Sequence, residues 1–193
     1  MPELWLIRHG ETAWSLSGAH TGRTDVPLTE EGQRRAAALG SLLRGHEFAQ
    51  VYTSPLVRAL ETCRIAAPAG PVQIDEDLME WDYGQYEGLT TAEIRLVAPG
   101  WTVWRDGVPG GETIDAVAAR ARRVIESAAS AGGDVALFAH GHFLRVLAAC
   151  WLELPPTAGA CFALGTASVC TLGYERETPV ITCWNRIPTA IQV

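Results

Sequence analysis

The chain has 193 residues, 48% of them hydrophobic, enough apolar material for one well-buried α/β core, so a single domain over residues 1–193 is expected. Its net charge of −7 argues against a basic nucleic-acid-binding face, so any anion must be held locally. All 15 basic residues are arginine, which leaves neither the lysine of a P-loop nor that of a pyridoxal Schiff base, and no Gly-x-Ser-x-Gly elbow or Cys-x5-Arg loop supplies another nucleophile.

In chain order, Leu4 to Ile7 is a short apolar strand that runs out into Arg8-His9-Gly10-Glu11-Thr12. Residues at the carboxyl end of a parallel strand face the crevice where α/β proteins bind ligands, and a guanidinium there suits an anionic oxygen. A loop from Ser15 to Arg23 follows, with Gly18 and Gly22 as its flexible points, then a helix from Thr29 to about Arg44 carrying Ala36, Leu39, Gly40 and Leu43 on one face. Gln50 to Thr53 is a strand. Ser54 reads as an N-cap and Pro55 as the first residue of a helix to Ala66, which puts Arg58 one turn in, near free backbone N–H groups. Val72 to Ile74 is a strand, Thr91 to Val97 a short helix, and Ile114 to Ser130 a long amphipathic helix. Val135 to Ala139 is a third buried strand ending in His140-Gly141-His142, followed by a helix from Phe143 to Leu152. Ser168 to Tyr174 and Val180 to Trp184 complete the sheet, and residues 187–193 read as a tail. The alternation implies an α/β three-layer sandwich with a mostly parallel central sheet flanked by helices.

Five segments then stand in one order: Arg8-His9-Gly10-Glu11-Thr12; Thr21-Gly22 with Asp25 to Gly32; Ser54-Pro55-Leu56-Val57-Arg58-Ala59-Leu60-Glu61-Thr62; Glu80 within Leu78 to Gly84; and His140-Gly141. Together they resemble the histidine phosphatase superfamily, the cofactor-dependent phosphoglycerate mutase-like proteins, from residue 4 to residue 145. The resemblance implies that His9 attacks phosphorus and becomes phosphohistidine, that Arg8 and Arg58 hold the phosphoryl oxygens, and that His140 adds a positive or hydrogen-bonding group to that cage. Glu80 would protonate the leaving oxygen and then activate water. By the same match Ser15 and Thr21 are expected to donate hydrogen bonds to phosphate or substrate, and Gly22 to make a close backbone contact. Ser15 stands where the mutases commonly have asparagine, and a hydroxyl can still donate.

Trp81 and Tyr83, flanking Glu80, have the best claim among the aromatics to a substrate contact, while Trp14, Trp101 and Trp104 fit packing. No metal site and no cofactor are expected, although His140-Gly141-His142 has a ligand-like spacing; His142 reads as a supporting or capping residue, and His20 and His46 as surface residues. The cysteines at 63, 150, 161, 170 and 183 read as buried thiols of a reducing compartment, hence a cytoplasmic protein. Mutases of the family carry a longer, basic insertion between Glu80 and His140. Here that stretch is short, and of its arginines only Arg95 and Arg105 are placed to approach the site, so water is expected to reach the phosphohistidine. The expected activity is a phosphomonoester hydrolase of the histidine acid phosphatase type, acting on small phosphorylated metabolites through a phosphohistidine. A cofactor-dependent mutase and a non-catalytic phosphate-binding module are the alternatives. The expected partner is a small phosphorylated metabolite, with no nucleic acid and no membrane, and a homodimer is left open.

Overall fold

The computed structural model describes residues 2–188, so of the expected tail residues 189–193 lie outside the described residues. The elements run β1 (Leu4–Arg8), α1 (Ala13–Ser17), α2 (Glu30–Leu43), β2 (Gln50–Thr53), α3 (Val57–Ala66), β3 (Val72–Ile74), α4 (Thr91–Val97), α5 (Val103–Asp106), α6 (Ile114–Ala129), β4 (Val135–Ala139), α7 (Gly141–Trp151), β5 (Val169–Glu175) and β6 (Thr178–Arg186). Short 3-10 turns occupy Glu76–Leu78, Gly84–Tyr86 and Pro156–Cys161.

Alternation along the central strands sorts the helices into two layers. Leu4 and Leu6 of β1, with Val135, Leu137 and Ala139 of β4, pack on α6 and α7 through Val117, Val124, Phe143 and Leu147. Trp5 and Ile7, with Ala136 and Phe138, turn to the other face and meet Leu39 and Leu43 of α2 and Cys63 and Ala66 of α3. Successive side chains of a strand point to opposite faces, so an unbroken apolar run such as Val135 to Ala139 is what a strand covered on both sides requires. Each fully buried Leu, Val or Phe contributes roughly 1.5–3 kcal/mol.

The sheet has six strands in the order β3-β2-β4-β1-β5-β6. β1, β2, β3 and β4 are mutually parallel, whereas β5 and β6 are antiparallel additions beside β1. After β1 the chain leaves toward β2, and after β4 it returns by α7 to β5 on the far side of β1. The crevice between the carboxyl ends of β1 and β4 is therefore a topological switch point, the place where open α/β sheets bind ligands.

Two helix starts and two short helices are not as expected. The helix after β2 begins at Val57, because Leu56 keeps an extended ψ of 134° and Ser54 does not cap it. α7 begins at Gly141, directly at the end of β4. The short α1 and α5 carry no apolar period to reveal them; α1 is set by a reciprocal cap in which Thr12 and Ser15 bond each other's backbone N–H.

Candidate active site

β1 and β4 are in register with Arg8 opposite Ala139, and the backbone N–H of His9 donates to the Ala139 carbonyl at 3.0 Å. That pairing delivers His9 and His140 side by side, their rings 5.1 Å apart. His9 is buried, and its Nδ1 lies 2.7 Å from the Gly10 carbonyl. A carbonyl only accepts, so Nδ1 carries the proton and Nε2 keeps a free lone pair. Burial first, then the Arg58 and Arg8 guanidiniums, push the His9 imidazole well below its usual range, which holds it neutral.

His140 is fully buried and engaged at both ring nitrogens. Arg58 Nε donates to its Nδ1 at 3.1 Å, so the proton sits on Nε2, 2.8 Å from Ser54 Oγ. Ser54, read from sequence as a helix cap, instead braces this imidazole. Burial and the neighbouring Arg58 hold His140 neutral as well. His140 thus meets the cage through Arg58 and does not line the cavity itself.

Arg58 is buried at the start of α3, with Nη1 donating to the Thr24 carbonyl at 2.9 Å and Nη2 to that of Gly22 at 2.7 Å. Arg8 donates to the Leu164 carbonyl and leaves its buried Nε without a partner. Gly141 lets it lie close: a Cβ there would stand 3.1 Å from Arg8 Cζ. Opposite the two guanidiniums, Glu80 Oε1 accepts from the backbone N–H groups of Trp81 and Phe143, both at 2.9 Å, and Oε2 from that of His142 at 3.1 Å. The first turn of α7 therefore aims this carboxylate into the cavity.

Of the expected contact residues, Ser15, Thr21 and Tyr83 line the cavity. Ser15 Oγ is also committed to the Thr12 backbone, accepting from its N–H at 2.9 Å. Gly22 and Trp81 do not line it. Gly22 turns its carbonyl to Arg58 at a φ of 53°, and a Cβ there would strike the Glu87 carboxylate. Trp81 is fully buried behind Tyr83, its Nε1 donating to the Glu112 carbonyl at 2.9 Å.

The far wall contains residues the sequence did not single out as contacts. His20 is a lining residue, not a surface one, its ring 4.8 Å from Tyr83. His46 packs on Trp5 at 4.2 Å. His142 lines the cavity and pairs through Nδ1 with the Tyr83 hydroxyl at 2.6 Å. Burial pushes the Tyr83 phenol well up and His142 well down, so the bond joins two neutral groups. Arg95 and Arg105 stay away, the first on the Trp101 carbonyl and the second paired with Asp106; the arginine that arrives is Arg145 of α7. Its spacing, four residues after Gly141, was the available signal. His140 and His142 diverge to different partners, and no group of three metal-ligating side chains occurs among the described residues. Cys161 is exposed and Cys150 and Cys183 half-buried, so only Cys63 and Cys170 are the buried thiols expected. Among the described residues no helix is long and apolar enough to cross a membrane.

Residues 4–187 match the sequence model of the histidine phosphatase superfamily, branch 1. The chain is 43% identical to an acid phosphatase of Mycobacterium tuberculosis over 176 residues, 89% of this chain and 86% of the relative. It is 35% identical to sedoheptulose 1,7-bisphosphatase of Saccharomyces cerevisiae, over 79% of this chain and 68% of that protein. A 2,3-bisphosphoglycerate-dependent phosphoglycerate mutase 2 of Gloeobacter violaceus is 38% identical over 76% of this chain and 74% of its own length. Among solved structures, an open reading frame product of M. tuberculosis superposes with a TM-score of 0.92 at 38% identity, covering 97% of this chain and 99% of the other.

Proposed function

Because this chain belongs to the histidine phosphatase superfamily, we propose that it is a phosphatase that hydrolyses phosphomonoesters of small metabolites through a phosphohistidine on His9. The observation that carries this reading is a buried neutral histidine whose Nε2 is freed by the Nδ1 bond to Gly10, flanked by Arg8 and Arg58 and facing Glu80 across one cavity. Nε2 attacks phosphorus as the P–O bond to the alcohol breaks, the arginines bear the charge on the equatorial oxygens, and Glu80 gives its proton to the leaving oxygen. The carboxylate so formed takes a proton from water, whose oxygen attacks the phosphohistidine. The P–N bond breaks, and inorganic phosphate and neutral His9 result. His140 acts as a positioning residue for Arg58.

A cavity of about 160 Å³ suits a small ester, being below the 300–1,000 Å³ typical of drug-sized ligand sites. No arginine from the stretch between Glu80 and His140 lines it, which leaves water a path and favours hydrolysis over the mutase reaction of several relatives. The finer assignment, an enzyme of the histidine acid phosphatase type in one cytoplasmic domain, is supported by the lowered His9 and by five free cysteines among the described residues.

The test is chemical. Brief exposure to a phosphorylated substrate should label the protein with an acid-labile, base-stable phosphoryl group, and His9→Ala should lose the label together with at least ~10³ of the turnover. Retention of a tenth of the activity would remove His9 from its role. Conversion of 3-phosphoglycerate to 2-phosphoglycerate outpacing phosphate release would make the protein a mutase.

A further inference from the structure

Resting on that phosphatase reading, we propose that Arg145 builds a second anion subsite on the leaving-group side of the cavity, so that the preferred esters carry a second anionic group, a carboxylate or a further phosphate. Outside the cavity, Arg23, Arg34, Arg35, Arg105, Arg120 and Arg123 are each paired with a carboxylate, whereas Arg44, Arg64, Arg95, Arg122, Arg176 and Arg186 stand without an ion pair among the described residues. The three that line the cavity, Arg8, Arg58 and Arg145, have no such partner among the described residues. Three guanidiniums thus share one cavity whose lining contains a single carboxylate, Glu80, so the lining is positive and Arg145 is available beyond the two guanidiniums that flank His9.

The Arg145 guanidinium sits on the side where an alcohol would leave. Glu80, which must reach the leaving oxygen, is held by the N–H groups of His142 and Phe143 in the first turn of α7. Arg145 follows one turn later on the same helix face as Gly141 and His142, so it borders the Glu80 side. The guanidinium is pre-set: Nε donates to the Gly159 carbonyl at 3.0 Å, Nη2 to that of Ala160 at 3.1 Å, and the Trp104 ring lies 4.5 Å from its Cζ. Nη1 has no hydrogen bond among the described residues and is the donor left for a ligand. His142 and His20, both held neutral by burial, supply hydrogen-bonding groups beside it.

The experiment compares three phosphomonoesters of one carbon skeleton: glycerol 1-phosphate, 3-phosphoglycerate and propane-1,3-diol bisphosphate. The wild type should favour at least one anionic member over the neutral ester by about 10- to 100-fold in kcat/KM, the value of a charge-assisted hydrogen bond, and which member leads tells carboxylate from phosphate. Arg145→Gln should collapse that ratio toward one, whatever loss all three esters share, and Arg145→Lys should keep part of it. A purely structural Arg145, stapling α7 to the Pro156–Cys161 turn, would lower all three together and leave the ratio unchanged, which overturns the subsite. An unselective wild type overturns it as well, even if Arg145→Gln fails to fold. Absence of turnover on these esters and on an aryl phosphate alike would instead overturn the phosphatase reading beneath it.

Discussion

In the proposed mechanism one side chain, Glu80, is held for two tasks. Its oxygens accept from three backbone N–H groups, on Trp81, His142 and Phe143, which fix the direction of the carboxyl. Glu80→Gln keeps the shape and one acceptor oxygen, turns the other acceptor into an NH2 donor, and brings no transferable proton. Turnover of alkyl phosphates should fall by about 10²- to 10⁴-fold, and that of activated aryl phosphates far less, since an aryl oxide leaves without help. Equal losses in steady-state assays would make Glu80 structural; Asp82 and Glu87, the nearest substitutes in sequence, do not line the cavity. The pH profile has a defined sign. Burial and two guanidiniums lower His9, so its neutral nucleophilic form persists below the ordinary histidine value of about 6.5. The acid limb of kcat/KM should therefore lie below that value.

At the scale of elements, the cage is strung between loops and helix starts. Glu87 accepts from the backbone N–H groups of Arg23 at 2.7 Å and Thr24 at 2.9 Å. The loop it fastens presents the carbonyls of Gly22 and Thr24 to Arg58. Glu87→Ala removes both acceptors and should raise the inhibition constant of inorganic phosphate about tenfold, the value of roughly one hydrogen bond to a charged group, with Glu87→Gln recovering part of it. Gly22→Ala acts on the same link, since its Cβ would displace that carboxylate and its φ of 53° disfavours alanine. The double variant should then lose less than the sum of the two, and full additivity in a double-mutant cycle would show that the links are separate.

For the whole molecule, the cost of this site is paid in acid. His9, His140 and His142 are all lowered in the folded chain, burial being the largest cause in each. In the unfolded chain they titrate near the ordinary value of about 6.5, so below that pH the unfolded state holds more protons and is favoured. Above it both states are neutral there and the three make no difference. The urea midpoint should therefore fall between pH 7.5 and pH 5.5 with net proton uptake on unfolding, and saturating phosphate, which binds only the folded cage, should restore much of it. A midpoint that stays flat or rises on acidification would mean that these imidazoles are already charged in the fold. The overall charge of −7 is compatible with the proposed anion capture, because three arginines without a carboxylate partner, Arg8, Arg58 and Arg145, concentrate positive potential in one small cavity.

Strand periodicity and strand-end chemistry were legible in the linear chain because both are local. Runs such as Val135 to Ala139 had to be covered on both faces, and Arg8 ends a strand while His9, Arg58 and His140 each follow one directly or within the first turn of the next helix, so knowing the strands told where those residues would stand. Glu80 was visible only through resemblance, since it follows a 3-10 turn and owes its position to α7, 62 residues later at His142. What only the tertiary structure decided depends on contacts between distant segments. Ser54 turns from helix cap to brace because β4 brings His140 to it across 86 residues. Trp81 withdraws behind Tyr83 because its indole N–H finds the Glu112 carbonyl, and a buried donor without such a partner is costly. The far wall of His20, His142 and Arg145 comes from a loop and a helix face whose own periodicity says only which side is apolar, and packing alone makes them neighbours.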